Sequence, residues 1–184
     1  AGIGGNHTQH ARDRFQKDVL AHKPDIAILQ FGINDAAIDV WKTPPATQPR
    51  VGLKKYIANL RHFVQELRQR DIKVVLMTPN PLRWTAKMRE MYGKPPYLPE
   101  DEDGFNVKLK EYSAAVRKIA KAEDVPLVDV ASLFEKSAAG EGQSVSDLLL
   151  DGIHPNERGQ RLIAAALLEL LLPDLQPKNR AATR

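Results

Sequence analysis

The sequence contains no cysteine, which excludes disulfides and thiolate metal sites and leaves secreted, periplasmic and cytoplasmic locations all open. Long apolar runs are also lacking. The leucine-rich stretch "LIAAALLELLLP" is shorter than the roughly 18 to 20 residues of a membrane span, so we expect no membrane span. An excess of one charge is absent too, since 27 Lys and Arg stand against 23 Asp and Glu. The bases are scattered among the acids, so we expect no nucleic-acid partner.

The length and composition predict one domain over residues 1–184, because 184 residues with 42% hydrophobic side chains suffice to bury one core. The basic ending "KNRAATR" predicts a flexible tail over 174–184. The chain opens with neither methionine nor a charged segment followed by an apolar one. We therefore expect a further segment upstream of Ala1 in the native protein.

Short apolar runs alternate with helical periods along the chain. Runs typical of buried parallel strands are "DIAILQFG" (25–32), "DIKVVLMTP" (71–79) and "VPLVDV" (125–130). Spacings of three and four predict two crossover helices, and further helices are expected at about 8–22 and 157–172. The residues that carry these spacings are Leu53, Ile57, Leu60, Val64 and Leu67, then Phe105, Leu109, Tyr112, Val116 and Ile119. The order predicts an α/β fold, a three-layer α/β/α sandwich around a parallel sheet.

Ligands of such sheets bind beyond the carboxyl ends of the strands. The loops at that rim are "GINDA", "TPNPLRW" and the segment that leads to "DGIHPN". The insert from Thr78 to Gly104 is longer than usual α/β connections and rich in proline and charge, which suits a functional lid or wall and, equally, a disordered loop.

Asp151 and His154 are the first candidate pair. A separation of three in a tight turn can bring a carboxylate against one ring nitrogen, and Pro155 biases His154 toward extended backbone. Asn156 would then cap the last helix. The spacing alone favours a simpler interpretation, an Asx-turn ahead of a helix cap with a surface histidine.

Two glycine-containing segments offer hydrogen-bond donors. In "FGIND" (31–35), Asn34 either occupies a turn or aims its amide into the crevice as a donor to an oxyanion. In "AGIGGNHT" (1–8), glycines before a helix suit an anion. The lysine of a nucleotide-binding P-loop is missing, so a Gly5 N–H that completes an oxyanion hole fits better than a phosphate site.

Other candidates have simpler explanations. His7, His10 and Asp13 have the spacing of a solvated helix face, so we expect no metal there. Trp84, in the long insert with Tyr92 and Tyr97, either stacks on a sugar ring or covers the edge of the core. Arg83 adds a polar group beside Trp84.

Together, "GIGGN" before a helix, "GIND" after a strand and "DGIHPN" before the last helix resemble the SGNH (GDSL-type) hydrolases, a family of esterases and lipases, over almost the whole chain. The resemblance implies a flavodoxin-like sandwich, Gly5 and Asn34 as oxyanion donors, His154 as general base and Asp151 as its orienting acid, without metal or cofactor. Asp35, Arg83 and Trp84 are the predicted substrate contacts.

The chain departs from that family at the nucleophile. The family's serine lies in a "GDS" block that ends the first strand, some tens of residues before the glycine block, and no such block is present. None of the serines follows a strand with that glycine and acid: Ser113, Ser132, Ser137, Ser144 and Ser146. Since the missing strand is central in this fold, we expect exposed apolar flanks and unpaired backbone groups beside it. An upstream segment is the favoured source of the strand, ahead of an oligomer, a strand-donating partner or a rearranged sheet.

The predicted function is a serine esterase acting on small or carbohydrate-linked acyl esters, with O-acetyl groups favoured because the insert is polar and dotted with aromatics. The alternative is a non-catalytic, truncated or degenerate domain that binds a glycan or a partner chain. A third, a flavodoxin-like anion binder, would use the Gly5 loop.

Overall fold

A computed structural model describes residues 1–175 of the chain, and the tail predicted over 174–184 lies, from residue 176 on, outside the described residues. Three parallel strands form a sheet in the order β1-β2-β3. They are β1 Ile26–Gln30, β2 Lys73–Met77 and β3 Leu127–Val128. In the register, Ile28 pairs with Val75 and Met77 with Val128. The predicted parallel α/β sheet is confirmed.

Helices connect and flank these strands. They are α1 Thr8–Asp13, α2 Phe15–Asp18, α3 Ile33–Ala36, α4 Leu53–Arg68, α5 Ala86–Tyr92, α6 Leu109–Ala122, α7 Val130–Ser137 and α8 Glu157–Leu175, with 3₁₀ turns at Leu20–His22, Gly104–Asn106 and Val145–Leu148. Across residues 1–175, no helix is long and apolar enough to cross a membrane.

The core lies on both faces of the sheet, because successive side chains of a strand point to opposite sides. Val74 and Leu76 of β2 join a cluster that contains the apolar faces of α4 and α6. Val75 and Met77 join a second cluster with α7 and α8. Helices therefore cover both faces, as the alternation of elements predicts.

The first helix differs from the prediction. In place of one helix over about 8–22, the chain forms α1, α2 and a 3₁₀ turn, because Arg14 (φ −117°, ψ 9°) and Val19 (φ −127°, ψ −64°) leave the helical conformation. The breaks let Phe15, only 5% exposed, enter the core. Burial of that ring takes precedence over helix continuity.

Strand β1 has one partner among the described residues, so the edge opposite β2 is unpaired. Ile28, in the middle of this strand, is 44% exposed. Its neighbours Ala27 and Leu29 point to the other face and are buried. The predicted exposed apolar flank is therefore present at β1.

The long insert between β2 and α6 is folded and packed. Trp84 stacks on Phe105 with ring centroids 4.5 Å apart, and Tyr97 meets Phe105 edge-on at 5.5 Å. Helix α5 lies within the insert and is capped by Thr85, which accepts a hydrogen bond from Met88 N. The interpretation of this segment as a disordered loop is therefore wrong.

Candidate active site

The carboxylate of Asp151 and the ring of His154 form a hydrogen-bonded pair. The distance from His154 Nδ1 to Asp151 Oδ2 is 2.8 Å, while Asp151 Oδ1 accepts the backbone N–H groups of Ile153 (3.0 Å) and His154 (2.8 Å). A carboxylate at Nδ1 favours the tautomer with its proton there, which leaves Nε2 free to accept a proton. The pair has the arrangement of a general base with its orienting acid.

The charge of Asp151 is stabilised by the same turn. Partial burial raises the pKa of the carboxyl group, but hydrogen bonds from the His154 backbone and ring and from the Ile153 N–H outweigh burial and lower the pKa to about 2. Asp151 is therefore ionised at any pH at which an imidazole base works.

Contacts from two directions hold this turn in place. Asn80, 4% exposed and located just after β2, donates to Ile153 O at 2.8 Å. Gly152 O accepts from Arg83 N at 2.8 Å. On the other side, Asn156 Oδ1 accepts from Gly159 N at 3.1 Å, so it caps α8 as predicted. The turn that contains Asp151 and His154 is thus positioned by the rim of the sheet and by the start of the last helix.

The Asn34 side chain lies in α3, at the carboxyl end of β1, with both ends of its amide engaged. Its Nδ2 donates to Asn6 O at 3.1 Å, and its Oδ1 accepts from Arg50 Nη1 at 2.8 Å. One Nδ2 hydrogen remains without a protein acceptor among the described residues. This hydrogen is available to an oxyanion.

Gly5 lies one residue before Asn6, at a φ of +75° that favours glycine. Within the described part of the chain, its N–H has no hydrogen-bond acceptor. The glycine segment and the "GIND" segment meet here because Asn34 bonds to Asn6.

The predicted groups converge on one cavity of about 1180 Å³, whose lining includes Gly5, Asn34 and His154. Tyr92 and Tyr97 line it as well, so the insert forms a wall. The cavity extends along the unpaired edge of β1, where every residue from Ile26 to Gln30 lines it. Gly5, Asn34 and His154, from three loops distant in sequence, therefore line a shared space.

None of the serines within residues 1–175 lines this cavity. Ser113 is 5% exposed inside α6. Ser132 donates to Asp129 Oδ2 at 2.9 Å, and Ser144 caps a 3₁₀ turn. Among the described residues, the cavity that Gly5, Asn34 and His154 line therefore has no serine in its wall.

Asp35 contributes to the site indirectly. Its carboxylate is fully buried and accepts hydrogen bonds from Thr8, at 2.9 Å from the backbone N and 2.5 Å from Oγ1. Burial raises the pKa of Asp35, and the bonds from Thr8 partly offset that rise. Asp35 thereby ties the glycine segment to the "GIND" segment. It does not line the cavity, and its contact with substrate stays a prediction.

Arg83 and Trp84 also lie away from the cavity lining. Arg83 donates to Leu82 O at 2.9 Å and pairs with Asp103 at 3.1 Å, and Trp84 Nε1 donates to Asp101 O at 2.9 Å. Both side chains hold the insert together, so Trp84 covers the core edge, one of the two roles considered for it. Their contact with substrate stays a prediction.

His7 and His10 stack with ring centroids 3.7 Å apart. Over residues 1–175, no group of three or more His, Asp or Glu side chains is arranged to hold a metal ion.

Comparison with known proteins identifies the family. Residues 1–162 match the GDSL-like Lipase/Acylhydrolase family. The chain belongs to this family of ester hydrolases. The resemblance to SGNH (GDSL-type) hydrolases is thereby confirmed.

Relatives of this GDSL-family chain align with most of its length. The lipoprotein YqeF of Bacillus subtilis is 33% identical over 89% of the chain and 68% of its own length. An acetylxylan esterase of Geobacillus stearothermophilus is 27% identical over 91% of the chain and 68% of its own length. The rat isoamyl acetate-hydrolyzing esterase 1 homolog is 30% identical over 96% and 71%. The chain thus spans about two thirds of these relatives.

Solved structures show the same fold. The crystal structure of the acetylxylan esterase Axe2 from Geobacillus stearothermophilus superposes with a TM-score of 0.71 at 26% identity, covering 91% of the chain and 68% of Axe2. The solved catalytic mutants of Axe2 replace a serine, an aspartate and a histidine with alanine. The aspartate and the histidine are three positions apart in Axe2. Asp151 and His154 have the same separation.

Two cavity-side residues were not predicted from the sequence. Asn80 follows a buried strand, a position that could have drawn attention to it. Arg50 lines the cavity and contacts Asn34, but it lies in the aperiodic segment between α3 and α4. Nothing in its sequence neighbourhood signals that contact.

Proposed function

We propose that this chain carries the general base and the oxyanion donors of an SGNH-type serine esterase. The observation that carries the proposal is that His154, which is hydrogen-bonded to Asp151, lines one cavity together with Asn34 and Gly5. Acyl transfer needs a proton acceptor and fixed donors on opposite sides of a carbonyl group. These three loops supply both.

The proposed reaction assigns one step to each of these groups. A serine hydroxyl transfers its proton to His154 Nε2 while its oxygen bonds to the ester carbonyl carbon. The oxyanion accepts hydrogen bonds from Gly5 N–H, Asn34 Nδ2 and the serine's own N–H. As the tetrahedral intermediate collapses, the C–O bond to the alcohol breaks and His154 returns the proton to the alcohol oxygen. This collapse leaves the acyl group on the serine oxygen. Water, deprotonated by His154, then attacks the acyl carbon, the C–O bond to serine breaks, His154 returns the proton to the serine oxygen, and the acyl group leaves as a carboxylic acid.

The serine comes, in this proposal, from a strand that pairs with the free edge of β1. A strand parallel to β1 would end at the same rim as Asn34 and His154, because parallel strands share their carboxyl edge. The cavity extends along that edge, and pairing would cover Ile28, now 44% exposed. A segment upstream of Ala1 is the favoured source, and a partner chain is the alternative.

We propose short acyl esters, with O-acetyl groups on carbohydrates first, as substrates. The preference for carbohydrate esters rests on the polar, proline-rich insert after Thr78. Tyr92 and Tyr97 line the cavity but are only 9% and 4% exposed, and their hydroxyl groups accept hydrogen bonds from Trp41 Nε1 and Ile38 N, so these rings close the wall. The names of relatives, acetylxylan esterase and isoamyl acetate-hydrolyzing esterase, support short acyl groups.

The test is ester hydrolysis by the protein that includes the native upstream segment. We expect turnover of p-nitrophenyl acetate and of acetylated xylo-oligosaccharides, with octanoyl esters slower. His154→Ala should lower kcat about 10⁴-fold, as loss of one member of a catalytic triad does. His10→Ala is the matched control, since His10 is exposed and does not line the cavity.

Absence of turnover in that longer protein, with normal folding, would favour the non-catalytic alternative. Affinity for an acetylated glycan that survives His154→Ala would then indicate a binding module. Affinity for phosphate or a nucleotide at the Gly5 segment would instead favour the anion binder.

A further inference from the structure

Arg50 links a buried carboxylate to the amide of Asn34. Its Nε and Nη2 donate to Asp39 at distances between 2.7 and 3.2 Å, and its Nη1 donates to Asn34 Oδ1 at 2.8 Å. Arg50 is 16 residues from Asn34 in sequence, and its side chain is 27% exposed. The guanidinium therefore bridges two acceptors at the cavity wall.

This contact determines which way the Asn34 amide points. A guanidinium has donors only, so it bonds the amide oxygen, while Asn6 O is an acceptor and bonds the amide nitrogen. If the amide were rotated by 180°, it would lose its hydrogen bonds to Asn6 and Arg50, and its Nδ2 donor would point at the Arg50 guanidinium, which is also a donor. Without Arg50, a single bond to Asn6 would hold the side chain.

Asp39 and the backbone hold Arg50 itself. Asp39 is 3% exposed, and Lys42 Nζ lies 2.8 Å from its Oδ2. Arg50 N donates to Ala37 O at 2.9 Å, so the segment closes beside the end of α3. Although burial raises the pKa of Asp39, its bonds to Arg50 and Lys42 outweigh burial and lower it. The acid is therefore ionised and holds the guanidinium through a two-point contact.

We propose that Arg50 is a positioning residue for the oxyanion hole, acting through the Asn34 amide. This inference rests on the proposed function. A guanidinium at Oδ1 fixes the amide and polarises it, so the free Nδ2 hydrogen is both aimed and strengthened as a donor. Arg50 itself forms no bond to the reacting atoms.

A competing role is direct contact with substrate, because Arg50 lines the cavity. A double-mutant cycle separates the two. If Arg50 acts through Asn34, its removal has no further effect once the amide is gone, whereas a substrate contact is lost equally in either background.

The experiment measures kcat and KM for p-nitrophenyl acetate in the protein that includes the upstream segment. We expect Arg50→Ala to lower kcat about 10- to 100-fold with KM changed less than about 3-fold, because misplacing one donor costs mainly transition-state binding. In an Asn34→Ala background, Arg50→Ala should change kcat less than about 2-fold. Arg70→Ala is the control, since Arg70 pairs with Glu66 on an exposed helix end.

Arg50→Lys is the second variant, for use if Arg50→Ala fails to fold. It keeps a positive charge beside Asp39, but a single ammonium group cannot bridge the Asp39 carboxylate and Asn34 Oδ1 as the guanidinium does. We expect reduced kcat at an unchanged melting temperature. Two results would overturn the role of Arg50 but leave the proposed function intact. One is a wild-type kcat in both Arg50→Ala and Arg50→Lys; the other is an Arg50→Ala loss of kcat that is equally large in the Asn34→Ala background. If the wild type does not turn over the ester, or if Asn34→Ala leaves kcat unchanged, the proposed function and the role of Arg50 are both overturned.

Discussion

At the scale of single residues, the Asp151 carboxylate performs two tasks that looked like alternatives in the sequence. One oxygen closes an Asx-type turn by accepting two backbone N–H groups, and the other orients the imidazole of His154. The turn that explains the D-x-x-H spacing without catalysis is thus also what fixes the acid beside its base. The two interpretations are compatible because a carboxylate has two oxygens.

A second carboxylate, Asp129, connects three elements and should make stability depend on pH. It accepts from Arg117 Nε at 2.8 Å, from Thr78 Oγ1 at 3.0 Å and from Ser132 N at 3.3 Å. Burial raises its pKa, but the bonds from Arg117 and Ser132 outweigh burial and lower the pKa to about 2. Asp129 also caps α7.

We predict that Asp129→Asn lowers the free energy of unfolding at pH 7 by about 1 to 3 kcal/mol. The native pKa lies below the unfolded value of about 3.9, so the stabilisation is complete above that value and is lost as pH falls toward 2. Urea unfolding from pH 7 to pH 2 measures it. The curves of wild type and variant should converge at the acid end, while Glu157→Gln, on an exposed pair, should follow wild type throughout. Parallel curves would contradict this.

Residue identities were predictable where the contact is local. The Asp151 and His154 pair forms within four residues, so its spacing is visible in the sequence. The contact between Arg50 and Asn34 depends on how an aperiodic segment closes. The predicted substrate contact of Trp84 could not be judged from the sequence because an aromatic residue in an insert fits a ligand and a neighbouring ring equally, and here it stacks on Phe105.

At the scale of elements, the turn that holds Asp151 and His154 packs against the insert that follows β2. Gly152 has a φ of +84°, and a Cβ there would lie 2.4 Å from Arg83 O. Only glycine lets the two backbones approach this closely. The backbone of Arg83 thus supports the turn that holds His154, while the Arg83 side chain pairs with Asp103.

We predict that Gly152→Ala destabilises the fold by about 1 to 3 kcal/mol and also lowers kcat, because relieving the clash must move Asp151 and His154. Thermal unfolding and p-nitrophenyl acetate hydrolysis measure the two effects. Gly142→Ala is a matched control: its φ of +71° gives the same backbone strain, but a Cβ there has nothing within 4 Å. Equal kcat in both variants would argue against support of the base by the insert.

The elements themselves were predictable to different degrees. The strands and α4, α6 and α8 follow from apolar runs and spacings, because burial on the sheet imposes those periods. Residues 8–22 have a helical pattern yet break at Arg14, since tertiary contacts of Phe15 and Thr8 override local propensity. Helix α7 was not predicted, and its Asp129 cap is recognisable mainly from the structure.

At the scale of the whole molecule, His154 and the two proposed oxyanion donors, Gly5 and Asn34, line a cavity that continues along the edge of β1 that has no partner among the described residues. The sequence predicted this because the three motif segments each follow a strand or precede a helix, and topology brings such ends to one rim. It also predicted the exposed flank, which the structure shows at Ile28. Both features agree with one explanation, a nucleophile-bearing strand beside β1.

The most direct measurement is covalent labelling of the full-length native protein with diethyl p-nitrophenyl phosphate. Peptide mapping by mass spectrometry then locates the phosphorylated residue. We predict one equivalent of label on a serine of a strand paired with β1, with labelling abolished in His154→Ala. No labelling of the folded protein would contradict this prediction. So would labelling of a serine such as Ser113 to the same extent in His154→Ala as in the wild type.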